Sequence, residues 1–95
     1  MIDKNTLLIE YTSRFNKHRN VAPPEIKAAF REALELFIDN PNDPHLRNHA
    51  LKEKYVGYRS INVTDDYRAL FKIRKDENQT IITFHILGTH KELYE

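Results

Sequence analysis

The apolar residues follow a helical repeat in the first half of the chain and a strict alternation in the second, and the change comes near Gly57. In the first half, apolar residues recur every three or four positions at Ile26, Ala29, Phe30, Ala33, Leu34, Phe37 and Ile38. Pro24 is suited to a first helical position, and Asn40-Pro41 ends the run. The repeat therefore predicts an amphipathic helix between them, with its apolar stripe covering a sheet.

A short apolar run near the start of the chain predicts a first strand. Leu7-Leu8-Ile9-Glu10-Tyr11 is followed by Thr12-Ser13, residue types that often cap the N-terminus of a helix. Residues 13–20 include few apolar side chains besides Phe15, so the pattern indicates only a short helix there. The expected order is one strand and then two helices before the chain reaches its alternating half.

Three further strands are predicted from the alternating apolar residues of the second half. The residues expected to face the helices are Ile61, Val63, Tyr67, Ala69, Phe71, Ile73, Ile82, Phe84 and Ile86. Thr64-Asp65-Asp66 and Lys75-Asp76-Glu77-Asn78 are turn sequences, which favours consecutive antiparallel hairpins. The sequence thus predicts an α+β fold. Strand one and two helices pack on a sheet that a three-stranded antiparallel meander completes, with strand one at an edge and a short C-terminal tail or helix.

The other face of the predicted meander is polar and basic. It carries Tyr58, Ser60, Asn62, Arg68, Leu70, Lys72, Arg74, Thr83 and His85. Such a face is expected of a solvated sheet surface, and equally of a surface that binds nucleic acid. The net charge of +1 and the pI of about 8.0 do not decide between the two, since a nucleic-acid footprint usually shows as a domain pI above about 9 or as clustered charge.

Composition narrows the class of protein and the chemistry open to it. With 95 residues, 40% of them hydrophobic and 31% charged, the chain is expected to form a single soluble domain, residues 1–95. No apolar run approaches a membrane span and residues 1–5 do not begin a signal peptide, so a cytoplasmic protein without membrane contact is expected. The absence of Cys excludes disulfides, thiolate catalysis and Cys-ligated zinc. A site must therefore use His, carboxylates, Arg, Lys, Tyr or hydroxyl groups.

The connection 39–54 follows neither repeat and is long for a compact domain, and such loops often carry functional residues. It contains His45 and His49. A metal site is disfavoured because this Pro-flanked segment is not expected to be helical and lacks a His-Glu-x-x-His pattern. Neither a hydrolase triad nor a phosphate-binding glycine loop is recognisable, so no metal and no cofactor are expected.

Several segments of the second half resemble the RelE/ParE toxin superfamily, most closely its YafQ-like branch. They are His49-Ala50-Leu51, Tyr55-Val56-Gly57-Tyr58-Arg59, Asp66-Tyr67-Arg68, Leu70-Phe71-Lys72-Ile73 and Gly88-Thr89-His90-Lys91-Glu92-Leu93-Tyr94. The resemblance implies the small toxin of a bacterial type II toxin–antitoxin system: a metal-independent endoribonuclease, or mRNA interferase, that cleaves messenger RNA on the ribosome and inhibits translation. It also implies a cognate antitoxin, so that a monomer or dimer alone and a hetero-oligomer with the antitoxin are expected.

The resemblance further implies which residues carry the activity. His49, Asp66 and His90 fall on positions that YafQ-like enzymes use for catalysis, and Tyr94 falls where they carry a Phe. Tyr94 is expected either to stack on a base or to pack the tail onto the sheet. The residues expected to bind RNA are Arg59, which matches their Gly-Tyr-Arg, together with Arg68, Lys52, Lys54 and Asn62.

The residue types at these positions suit RNA cleavage without a metal. The ribose 2′-OH attacks the adjacent phosphorus while a base takes its proton, an acid protonates the leaving 5′-oxygen, and positive charge stabilises the pentacoordinate phosphate. His49 and His90 are the natural pair because imidazoles exchange protons near neutral pH, and the sequence leaves open which of them is the acid. Asp66 is expected to orient or charge-stabilise one of them.

Three departures from the family pattern keep a second function open. Asn62 stands where a His is common, Ser60 where an acid is frequent, and Ile86 where many relatives carry an Arg. An amide hydrogen-bonds but does not exchange a proton near neutrality, so slower or altered cleavage is one expectation. The alternatives are a non-catalytic ParE-like toxin that binds DNA gyrase, and a RelE-fold binding module whose activity has decayed.

Overall fold

The computed structural model describes residues 6–94; residues 1–5, for which no signal peptide was predicted, and residue 95 lie outside the described residues. The elements are β1 Leu7–Tyr11, α1 Ser13–Val21, α2 Pro24–Asp39, β2 His49–Ala50, β3 Arg59–Asn62, β4 Tyr67–Asp76, β5 Gln79–Thr89 and α3 His90–Tyr94. The five strands form one sheet in the order β1-β5-β4-β3-β2, in which β1 is parallel to β5 and the other neighbours are antiparallel. The predicted α+β fold, with strand one at an edge, is confirmed.

The two long helices cover one face of this sheet through an aromatic core. The Thr12 hydroxyl caps α1 by accepting a hydrogen bond from the Phe15 backbone N–H at 3.0 Å. Within the predicted apolar stripe of α2, Ile26, Phe30, Ala33 and Phe37 are buried and the other three residues are half-buried. Because β-branched and aromatic side chains of β3, β4 and β5 meet this stripe, the main core lies between the helices and the sheet.

A β-bulge between β4 and β5 changes which face the end of β5 presents. The register passes from Phe71 opposite Phe84 to Leu70 opposite Ile86, so His85 is an extra residue on β5. The alternation of inward and outward side chains along β5 therefore shifts by one residue, and Leu87 joins the main core. The prediction that Ile86 faces the helices is wrong, because the bulge directs it to the opposite face.

That opposite face is partly covered, which corrects the prediction of an open polar surface. Its second apolar cluster consists of Leu70, Ile86 and Leu93, with Leu51, Tyr55 and Tyr58 packed against them. Ser60 and Leu70 are fully buried there because α3 and the segment before β3 lie over the sheet. The far half of β4, residues 72–76, is exposed, and Ile73, which was predicted to face the helices, is 45% exposed.

The connection 39–54 is irregular as predicted, with two short 3-10 turns at Pro44–Leu46 and Glu53–Tyr55 and the two-residue strand β2 between them. Leu46 is buried and joins the main core, so the loop is anchored on the helix side of the sheet. Arg47 follows in a left-handed conformation with φ 46°. Among residues 6–94, no helix is long and apolar enough to cross a membrane.

Candidate active site

A cleft of about 280 Å³ opens where the end of the 39–54 connection, the β3–β4 hairpin and α3 meet. It is lined by Arg47, His49, Leu51, Asn62, Arg68, His90 and Tyr94. Five of these were predicted from the sequence to act in catalysis or RNA binding, and they come from three separate segments of the chain. The structure therefore brings most of the predicted site into one space.

His49 lies in β2, whose pairing with β3 sets the residue opposite Ser60. Its side chain is exposed, and its Nδ1 lies 2.6 Å from the carbonyl oxygen of Arg47. A carbonyl oxygen only accepts hydrogen bonds, so Nδ1 carries the hydrogen in this contact. In the neutral ring, Nε2 consequently keeps its lone pair and is available to accept a proton.

His90 opens α3 and is held by main-chain and ring contacts. Its backbone N–H donates to the Asp66 carbonyl oxygen at 2.8 Å, which ties the tail to the β3–β4 hairpin. One turn later Tyr94 packs on the imidazole, with ring centroids 4.7 Å apart. The position of the His90 ring therefore depends on both the hairpin and the helix.

A reciprocal cap stabilises the start of α3. The Glu92 backbone N–H donates to the Thr89 hydroxyl at 3.1 Å, and the Thr89 backbone N–H donates to Glu92 Oε1 at 2.8 Å. The backbone N–H and then the side chain of Thr89 lower the pKa of the Glu92 carboxyl. Thr89-x-x-Glu92 is the sequence pattern of such a cap, and it predicts that a helix begins at the start of the tail.

The β3–β4 hairpin supplies the fixed positive charge of the cleft. Arg68 Nη1 donates to the carbonyl oxygens of Thr64, Asp65 and Tyr67 at 2.9, 3.1 and 3.1 Å. These contacts hold the guanidinium against the turn and beside the cleft. The turn itself is closed by the Thr64 hydroxyl, which accepts from the Asp66 and Tyr67 backbone N–H groups.

Four predicted residues are not part of the cleft lining that residues 6–94 form: Asp66, Arg59, Lys52 and Lys54. The Asp66 side chain is exposed, and the residue contacts the site through its carbonyl group. Arg59 lies on the helix side of β3, and its Nε donates to Asn48 Oδ1 at 2.9 Å. Lys52 and Lys54 are exposed beside the second apolar cluster.

Arg47 and Leu51 line the cleft but were not predicted from the sequence. Leu51 is half-buried and packs on the second apolar cluster, so its role is to form a wall. Arg47 adds a second guanidinium near His49, and its left-handed backbone carries the carbonyl group that fixes the imidazole. A non-glycine residue with positive φ has no reliable sequence signal, which explains the omission.

Comparison with known proteins gives one family and a set of similar folds. A family model described as "ParE toxin of type II toxin-antitoxin system, parDE" matches residues 7–94. The crystal structure of YafQ from E. coli strain BL21(DE3) has a TM-score of 0.75 and 24% identity over 92% of this chain and 97% of that chain. The E. coli DinJ–YafQ toxin–antitoxin complex gives a TM-score of 0.74 and 22% identity, covering 95% and 99%.

A YoeB/ParE toxin from Agrobacterium tumefaciens has a TM-score of 0.71 at 12% identity, covering 87% of this chain and 98% of that one. No curated protein sequence gives a significant match. At these identities the structural likeness shows a shared fold, and it leaves the chemistry to be argued from the cleft.

Proposed function

We propose that this chain, which belongs to the family of ParE toxins of type II toxin–antitoxin systems, is an endoribonuclease that cleaves messenger RNA on the ribosome. The observation that carries the proposal is that His49 and His90 line the same cleft together with Arg68. A protein that only binds its target has no need for two proton-exchanging side chains in one cleft beside a fixed positive charge.

The two imidazoles divide the proton transfers. His49 accepts the proton of the ribose 2′-OH at Nε2, because its Nδ1 hydrogen is engaged by the Arg47 carbonyl group. The 2′-oxygen bonds to the phosphorus, and protonated His90 donates its proton to the leaving 5′-oxygen. The products are a 2′,3′-cyclic phosphate and a 5′-hydroxyl, so each imidazole ends in the protonation state from which the other began.

Fixed cations and neighbouring side chains complete the site. The guanidinium groups of Arg68 and Arg47 stabilise the pentacoordinate phosphate, in which negative charge develops. Tyr94 stacks on a base, and Asn62 donates a hydrogen bond to the substrate. Asp66 acts as a positioning residue, since its carbonyl group accepts the backbone N–H of His90.

The remaining predicted RNA-binding residues act outside the cleft. Lys52 and Lys54 are exposed near its edge and neutralise phosphates that flank the scissile one. Arg59 supports the cleft from the other face, because its hydrogen bond to Asn48 braces the loop that carries Arg47 and His49.

The partner we propose is a cognate antitoxin. The similar YafQ fold was solved in a complex with DinJ. We infer that this chain acts in the cytoplasm, is a monomer or dimer when free, and forms a hetero-oligomer with its antitoxin.

The experiment that tests the proposal is cell-free translation with the purified chain, followed by primer extension on the message. Cuts within translated frames are expected, and they should vanish when initiation is blocked. His90→Gln should reduce cutting by about 100-fold or more, the usual contribution of a general acid. His45→Gln is the matched control, because His45 is exposed and pairs with Asp43 instead of lining the cleft. An intact message together with stalled gyrase–DNA complexes would contradict the proposal.

A further inference from the structure

A row of aromatic rings leads away from the cleft across the second apolar cluster. From His90 and Tyr94, centroids 4.7 Å apart, it continues to Tyr55 at 6.0 Å from Tyr94, to Tyr58 at 6.0 Å from Tyr55, and to His85 at 5.2 Å from Tyr58. The last three contacts are edge-to-face, with interplanar angles of 85–90°. These five residues are named the aromatic track.

Two lysines lie over ring faces of the track. Lys54 Nζ is 5.2 Å from the Tyr55 ring centroid, and Lys72 Nζ is 4.6 Å from that of Tyr58. Both lysines are exposed, whereas the two tyrosines are half-buried on Leu70 and its neighbours. The inner side of each tyrosine ring packs on the second apolar cluster. The outer face is covered only by the flexible, exposed side chain of a lysine.

Two cationic side chains lie near the far end of the track. Burial lowers the pKa of His85, and the nearby charges that lower it further are those of Lys72 and Arg14. The carboxylate of Glu92, which lies on the same side of the sheet, accepts a hydrogen bond from the Thr89 backbone N–H at 2.8 Å. The track therefore combines aromatic faces with cations, the composition that single-stranded nucleic acid binds.

We propose that the aromatic track is a binding site for single-stranded RNA, in which bases next to the scissile pair stack on Tyr55 and Tyr58. The base replaces the lysine over each ring, and Lys54 and Lys72 move to the adjacent phosphates. Stacking of this kind tolerates any sequence, because every base has a π-face. The identity of the ligand rests on the proposed function, whereas binding to the track does not depend on the cleavage chemistry.

The test is fluorescence anisotropy with labelled, random-sequence RNA in two lengths, a dinucleotide and a hexanucleotide. Both carry 2′-O-methyl groups, so that no nucleophile is present. The wild type should bind the hexanucleotide more tightly than the dinucleotide. Tyr58→Leu, which keeps an apolar side chain on the cluster, should weaken hexanucleotide binding about tenfold and leave the dinucleotide unchanged. Tyr58→Phe, which keeps the ring, should bind as the wild type does.

A phosphate contact is tested separately through the dependence of binding on salt. Lys72→Gln should reduce the slope of log K against log salt by about 0.7, the value for one phosphate contact on a single strand. Lys27→Gln, on α2 and away from the track, is the matched control and should leave the slope unchanged. Because Lys72 is exposed, this variant decides the question even if Tyr58→Leu fails to fold.

The outcomes test the RNA-binding track independently of the proposed nuclease activity. Equal wild-type affinity for the two lengths, or unchanged binding and salt slope in the Tyr58→Leu and Lys72→Gln variants, overturns the track even if the message is cut. Length-dependent binding that these variants abolish supports the track, and it does so even if translating ribosomes show no cut and the nuclease proposal fails.

Discussion

The two imidazoles of the cleft are held in different ways. His49 is fixed by a side-chain hydrogen bond to the Arg47 carbonyl group, whereas His90 is fixed through its backbone and through Tyr94. The hydrogen bond at Nδ1 of His49 leaves Nε2 of the same ring free to accept a proton. The contacts of His90 leave its ring dependent on the short helix α3, whose five residues are too few to be stable without a cap or tertiary contacts.

Removing the cap of α3 should therefore affect both stability and cleavage. Thr89→Ala removes the hydroxyl that accepts the Glu92 backbone N–H, and we expect the free energy of unfolding to fall by about 1 kcal/mol. Thr89→Ser keeps the hydroxyl and is the matched control. Urea denaturation measures the first effect, and cleavage of ribosome-bound message, lower for Thr89→Ala than for Thr89→Ser, measures the second. Equal results for the two variants would refute this role of the cap.

At the residue scale, the sequence predicts the types of the site residues better than their orientations. Matching the family pattern located His49, Arg68 and His90, which do line one cleft. Asn62, which departs from that pattern, lines the cleft as well. Arg59 matched as well, but a motif match does not reveal which face of β3 a residue occupies, and this one lies on the helix side.

Among the elements, the junction of α1 with β5 carries a titratable group. The Leu87 backbone N–H, just beyond the bulge, donates to His18 Nδ1 at 3.1 Å. Burial lowers the pKa of His18 first and Arg14 lowers it further, while Glu92 acts in the opposite direction. Neutral His18 thus satisfies a main-chain donor of β5 that lies beyond the end of the β1–β5 pairing at Phe84.

Stability should consequently fall in mild acid. Because the pKa of His18 in the folded protein lies below the ordinary histidine value of 6.5, the unfolded chain binds more protons just below pH 6.5. The contribution of neutral His18 to the free energy of unfolding is complete above about pH 6.5. It is lost as the pH falls through the pKa of His18 in the folded protein. His85, whose pKa is also lowered, adds to this trend.

The measurement is urea denaturation at pH 7.5 and pH 5 for the wild type and His18→Gln. The Gln amide oxygen can accept from Leu87 and does not titrate, so the variant should show a smaller loss between the two pH values. A residual loss from His85 is expected in both proteins. A pH dependence that is the same with and without His18 would contradict this account.

The spacing of apolar residues predicts the order and type of the helices and strands. It does not predict the β-bulge in β5. Ile86 and Leu87 are both apolar, so an alternation of period two can be continued through either, and tertiary packing decides between them. The sequence also did not predict that Ser60 and Leu70 are buried, and the reason is related. It depends on α3 folding back onto the sheet, a long-range contact that local patterning does not encode.

For the whole molecule, the cleft depends on three segments that are far apart in sequence. The sheet carries the loop of His49 and the β3–β4 hairpin, and α3 returns His90 to them by packing Leu93 on the second apolar cluster. Members of one fold can have different functions, so the fold does not decide between nuclease and binding module. Our proposal of a nuclease rests on the pair of histidines in one cleft.

The most direct measurement is single-turnover cleavage of ribosome-bound message by the wild type, His49→Gln, His90→Gln and the double variant. Residues that act as one acid–base pair are strongly non-additive. Each single variant should lose about 100-fold or more, and the double variant should be little slower than the slower single one. A message with 2′-deoxyribose at the scissile position should remain intact. Wild-type cleavage rates in either single variant, or cutting of the deoxy message, would contradict the account.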